Sequence, residues 1–142
     1  MNTLDQRQLV DVMIAPFANN NSERYISKFV SPAIWSLGRI SCVNHVQAER
    51  VVPFFGGQLQ STTSSNEAKV AALGALADLC RVKTQLVDKF IDIIATMLYE
   101  RSLYVAKKAL KLLTYMLRRD FVKMRPSLLS RMLILARVEL LF

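Results

Sequence analysis

Ala72-Leu73-Gly74-Ala75-Leu76 is the stretch on which the reading of this chain turns. The same order (alanine, an aliphatic residue, two further positions, leucine) stands at Ala33-Ile34-Trp35-Ser36-Leu37 and at Ala109-Leu110-Lys111-Leu112-Leu113. The steps between the alanines are 39 and 37 residues. A second element recurs one helix ahead of each: Ile14-Ala15-Pro16-Phe17, Val51-Val52-Pro53-Phe54 and Phe90-Ile91-Asp92-Ile93. Gly38 and Gly74 fall in corresponding helices. A two-helix unit repeating at about 38 residues is the pattern of a HEAT-type solenoid. Two helices alone cannot cover both of their apolar sides, so each pair stacks on the next, and a small alanine lets the backbones come close.

Outward from those elements the chain reads as all-α. Apolar residues recur at helical spacing along Val70, Leu73, Leu76, Ala77 and Cys80. They do so again along Leu86, Phe90, Ile93, Ile94 and Leu98, and along Ala106, Ala109, Leu110, Leu113, Met116 and Leu117. No stretch alternates at period two. Polar joints lie at Asn19–Ser22, Ser61–Asn66, Glu100–Ser102 and Arg118–Asp120. The expected helices are 4–17, 23–43 with a bend, 46–60, 66–82, 85–99, 103–119 and 126–140. Ser31 before Pro32 marks a fresh start inside the second, because proline fits a first turn and not a helix interior. The repeats are then 1–43, 44–82, 83–120 and a partial 121–142, about three and a half in all. Leu103, Leu112 and Tyr115 lie off the main stripe of their helix and are expected to pack against neighbouring repeats.

Composition excludes several classes. A hydrophobic content of 52% is too high for a disordered chain. Four Gly and four Pro leave little for a turn-rich β fold. No uncharged apolar run is long enough to span a membrane. Asp5, Arg7 and Asp11 precede any apolar run, so a secretory signal is not expected. Cys42 and Cys80 form no disulfide framework and fit a reducing, intracellular compartment.

Catalytic patterns are missing. His45 is the single histidine, placed at a helix joint, so neither a multi-histidine metal site nor a histidine triad is expected. Cys42 and Cys80 occupy equivalent repeat positions and read as small core residues. Asp88 and Asp92 share a helix face at i, i+4 but have no catalytic company. Gly56-Gly57 stands alone within a helical pattern and makes no phosphate loop. The expectation is a protein that is not an enzyme, with no cofactor, no metal, no small-molecule substrate and no membrane partner.

Charge is where the chain is unusual. Its formal net charge is +8. Residues 1–100 carry nine basic and nine acidic side chains, while residues 101–142 carry ten basic ones against Asp120 and Glu139. The entire excess lies in the last third. Lys107, Lys111 and Arg118 fall near one helix face, Lys108 and Arg119 flank them, and Lys123 and Arg125 continue beyond the joint. Such a face attracts phosphates and positions a nucleic-acid backbone without reading its sequence. Tyr104 and Tyr115 lie nearby but are not spaced as a base-stacking platform. A solvated outer face would carry the same residues, and the two readings stand side by side.

The segment Lys69–Leu135 resembles the HEAT region of the condensin regulatory D-type subunits. The resemblance rests on Leu76-Ala77-Asp78-Leu79-Cys80, Thr84-Gln85-Leu86-Val87-Asp88-Lys89-Phe90-Ile91 and Leu110-Lys111-Leu112-Leu113-Thr114-Tyr115-Met116-Leu117. Asp120-Phe121-Val122-Lys123 and Ser127-Leu128-Leu129 complete it, and Leu37-Gly38-Arg39-Ile40-Ser41-Cys42 is similar more weakly. The run from Phe121 to Leu128 is slightly closer to the condensin II type. The chain is a divergent relative: Ala106 follows Val105 where the family has arginine, Asp92 replaces a proline, and Met124-Arg125-Pro126 replaces Trp-Lys-Gly. The resemblance implies a chromosome-structural scaffold of the nucleus that takes part in mitotic condensation. It would bind duplex DNA or chromatin and the kleisin, beside an ATPase core formed by other chains. The alternative is a HEAT/armadillo-type adaptor whose basic face meets an acidic peptide. Leu140-Leu141-Phe142 gives no polar cap, so the expectation is a fragment of a longer array, a truncated reading of a longer gene or a shortened paralogue.

Overall fold

A computed structural model describes residues 3–18, 30–62, 64–119 and 126–141, with side chains at 7–14, 30–62, 64–119 and 126–137. Helix α1 is Thr3–Ala18, α2 is Val30–Val43, α3 is His45–Gln60 and α4 is Asn66–Val82. Then come α5 (Thr84–Asp88), α6 (Ile91–Thr96), a 3-10 turn (Met97–Tyr99), α7 (Leu103–Arg118) and α8 (Pro126–Leu141). The described residues are helices and their joints, with no strand. The expected helical residues 23–29 lie outside the described residues.

Local chemistry accounts for the starts. Pro32 is the third residue of α2, within the first turn, where no intrahelical partner awaits its missing N–H. Asn44 caps α3 by accepting the Gln47 backbone N–H at 3.2 Å, and Ser65 caps α4 by accepting that of Ala68 at 3.1 Å. Glu67 in the first turn of α4 and Arg81 in its last both suit the helix dipole.

The helices touch in two series. In one, α2 packs on α4 and α4 on α7; in the other, α1 meets α3, α3 meets α5 and α6, and the 3-10 turn meets α8. Contacts of α1 with α2, α2 with α3, α3 with α4, α6 with α7 and α7 with α8 join the series. The repeated positions form the core between them. Ile34 and Leu37, Leu73 and Leu76, and Leu110 and Leu113 are all buried, each pair one turn apart on its helix. Of the alanines, Ala72 and Ala109 are fully buried and Ala33 is half-buried.

Close approach explains two glycines. A Cβ on Gly38 would stand 2.9 Å from the Cβ of Ala75, so α2 and α4 meet almost backbone to backbone. A Cβ on Gly56 would stand 2.5 Å from the ring of Phe90. Gly38→Ala is therefore expected to destabilise the protein by about 1–2 kcal/mol in a denaturant titration. Helix propensity alone would favour alanine by about 1 kcal/mol. The obstructing atom is a methyl fixed to a helix backbone, so the helices themselves must separate. Adding Ala75→Gly clears the clash and should recover part of the loss. A Gly38→Ala protein as stable as the parent would rule out this packing.

The structure departs from the sequence expectation at 85–99, which is not one helix. Phe90 leaves helical geometry at φ −106°, ψ 8°, and its N–H bonds the carbonyl of Val87 three residues back at 2.9 Å. The interruption falls where the Phe90 ring packs on Gly56. Tightening to i, i+3 bonds shifts the helical phase only slightly, so the apolar spacing runs through it. Asp88 thus ends α5 and Asp92 lies in the first turn of α6, so the helix expected to carry both is interrupted between them by the turn at Phe90. Leu112 is buried as expected off the main stripe, but Leu103, the first residue of α7, is 47% exposed.

Three polar contacts, two within the second series and one reaching it from α4, tie the helices together. Arg50 of α3 pairs with Asp11 of α1. Arg131 of α8 donates through Nε to the Leu98 carbonyl at 3.0 Å. Lys69 of α4 pairs with Glu100, between the 3-10 turn and α7, at 3.1 Å.

Candidate nucleic-acid interface

Helix α7 is divided by its own sequence. Val105, Ala106, Ala109, Leu110, Leu112, Leu113 and Met116 are all buried, against α4, α6, the 3-10 turn and α8. At 100° per residue this leaves the opposite side to Tyr104, Lys107, Lys108, Lys111, Tyr115, Arg118 and Arg119. Lys107, Lys111 and Arg118 share a strip about 40° wide. Lys111, Arg118 and Arg119 are exposed, and Lys107 and Lys108 half-buried. Five of the seven sequence-derived site residues thus share one surface. Lys123 and Arg125 lie outside the described residues.

The two tyrosines of this surface are held by cations. Lys108 Nζ lies 5.8 Å from the ring centre of Tyr104, and the Arg119 guanidinium carbon 5.5 Å from that of Tyr115. A third cation arrives from the neighbouring helix, since Arg81 of α4 stands 5.9 Å from the same Tyr115 ring. Arg81 is not among the seven sequence-derived site residues. Its signal was the repeat itself: Arg81 precedes Arg118 by 37 residues, the step that separates Ala72 from Ala109. Ion pairs among the described residues join His45 to Glu49, Arg50 to Asp11 and Lys69 to Glu100, and none uses an α7 cation or Arg81.

Other sites offer less chemistry. His45 opens α3, exposed, 3.2 Å from Glu49. Cys80 is fully buried and Cys42 partly so. Burial pushes both thiols up from their ordinary range; Asp78 adds to this at Cys42 against Lys83, and Asp88 adds to it at Cys80. Neither is an activated nucleophile. Among the described residues no three His, Cys, Asp or Glu side chains gather as a metal site. No helix of the described residues is long and apolar enough to cross a membrane. An open groove of about 580 Å³ runs beside Lys69 and Glu100, lined also by Leu59, Asp92, Ile93 and Met97.

No protein-family model, curated protein or solved structure matches the chain.

Proposed function

We propose that this chain is a non-catalytic scaffold that binds duplex DNA or chromatin through the outer face of α7. One observation carries the reading: five cations on one helix face, joined by Arg81, with no carboxylate among the described residues to neutralise them. A surface built only to stay soluble gains from mixed signs, whereas this one concentrates a single sign where phosphates would lie.

The two series of helix contacts support a HEAT-type solenoid of about three and a half pairs, with α7 in the third. On that architecture, and on the resemblance to condensin D-type subunits, the protein acts in the nucleus on mitotic chromosomes. It holds the kleisin, and the ATPase core is supplied by other chains. The resemblance is slightly closer to the condensin II type.

Titrating salt against binding of a duplex of arbitrary sequence tests this. With five phosphate contacts the log–log slope is expected near −4.5, nearly independent of sequence. Capture of polyglutamate with no duplex binding at moderate salt would instead identify an adaptor for acidic peptides.

A further inference from the structure

We infer that Arg81, Tyr115 and Arg119 form a phosphate-binding fork that carries the duplex interface from α7 across onto α4. The inference rests on the DNA-binding reading and adds a second helix to it.

Arg81 sits in the last turn of α4, and Arg119 at the end of α7; both are exposed. Their guanidinium carbons lie 5.9 and 5.5 Å from the centre of one half-buried tyrosine ring. Two permanent positive charges against one ring repel each other. The ring's negative face and the partial negative charge of two helix C-termini reduce that repulsion without cancelling it. No described carboxylate pairs with either arginine. A bound anion offsets the remaining repulsion.

The chemistry of the cations selects phosphate. Guanidinium is charged at any working pH, and its planar set of N–H donors matches phosphate oxygens two at a time. Placed over an aromatic ring, each guanidinium loses less freedom when it binds. Position then selects a polymer. Arg81 and Arg118 are equivalent repeat positions on adjacent helices, so cations continue from Lys111 and Arg118 in the direction in which the helices stack. A track of that kind fits a rod carrying one charge per roughly 1.7 Å better than a single ion.

The experiment is salt-titrated fluorescence anisotropy on the full chain with a labelled duplex of arbitrary sequence. Arg81→Gln should lower the magnitude of the slope by about 0.9 and weaken binding about eightfold near 0.1 M salt. Arg81→Lys should keep the slope and still weaken binding, because the charge remains and the planar fork is lost. Arg81 is exposed, so an unchanged melting curve is expected for both variants. Parental slope and affinity for Arg81→Gln, with the parent binding duplex normally, would overturn the fork and leave the α7 interface standing. Failure of the parent to bind duplex at low salt would overturn both. Polyglutamate binding with the same dependence on Arg81 would also overturn the fork as a phosphate site.

Discussion

Reversal of Lys107, Lys108, Lys111, Arg118 and Arg119 to glutamate is expected to abolish duplex binding. Five lost phosphate contacts remove a slope of about 4.5, which corresponds to roughly 500-fold in affinity between 50 and 200 mM salt. Repulsion from the introduced carboxylates adds to that. The change moves the net charge from +8 to −2, so charge alone must be separated from position. Reversing Arg7, Lys89 and Arg101, exposed residues off the α7 face, provides the control. As exposed charges outside the strip of Lys107, Lys111 and Arg118 they make none of its phosphate contacts, and binding should fall by less than about tenfold. A glutamine version of the five-residue variant guards against a folding artefact, since glutamates at the end of α7 oppose its dipole. It should lose most of the slope, keeping at most the share of Arg81, and keep the helix content. Loss of binding in the control equal to that in the α7 variant would mean that only bulk charge matters.

What the sequence discloses about this fold follows from how far its signals reach. The joints at Ser61–Asn66 and Glu100–Ser102 appear where expected because caps and breakers act within three or four residues. The buried leucines were legible because one spacing recurs three times. The interruption at Phe90 was not, since it coincides with a contact to Gly56, far away in sequence. Leu103 and Leu112 look alike on a helical wheel. Only the arrangement of neighbouring helices leaves the first exposed and the second buried. The interface divides in the same way. Its α7 residues follow from local periodicity, while Arg81 reaches it only through the packing of α4 on α7. Lys69 is the sharpest case. Nothing around it in sequence marks it as buried, because its counter-charge lies 31 residues on.

Glu100→Ala is accordingly expected to be the most destabilising single substitution at a polar position. Lys69 is 8% exposed, and its ammonium stands 3.1 Å from Glu100. Removing one partner of a fully buried pair costs about 3–5 kcal/mol, chiefly because the other charge is left buried. Here Glu100 is partly exposed and a groove of about 580 Å³ lets water approach, so about 2–3 kcal/mol is expected, on the order of 10 °C in a thermal melt. The reciprocal change should be asymmetric. Lys69→Met leaves a carboxylate that groove water can solvate, and a loss below about 1 kcal/mol is expected. The double variant should regain most of the stability of the parent, since neither charge is stranded. Equal losses from the two single variants would sink this account. Well below its melting temperature the Glu100→Ala protein also separates charge from geometry at the interface. It carries one more positive charge than the parent, so a surface acting by charge alone would bind duplex more tightly. The Lys69–Glu100 pair joins α4 to the joint that leads into α7, and those two helices bring Arg81 to Tyr115. An interface that depends on their relative placement will bind more weakly despite the added charge.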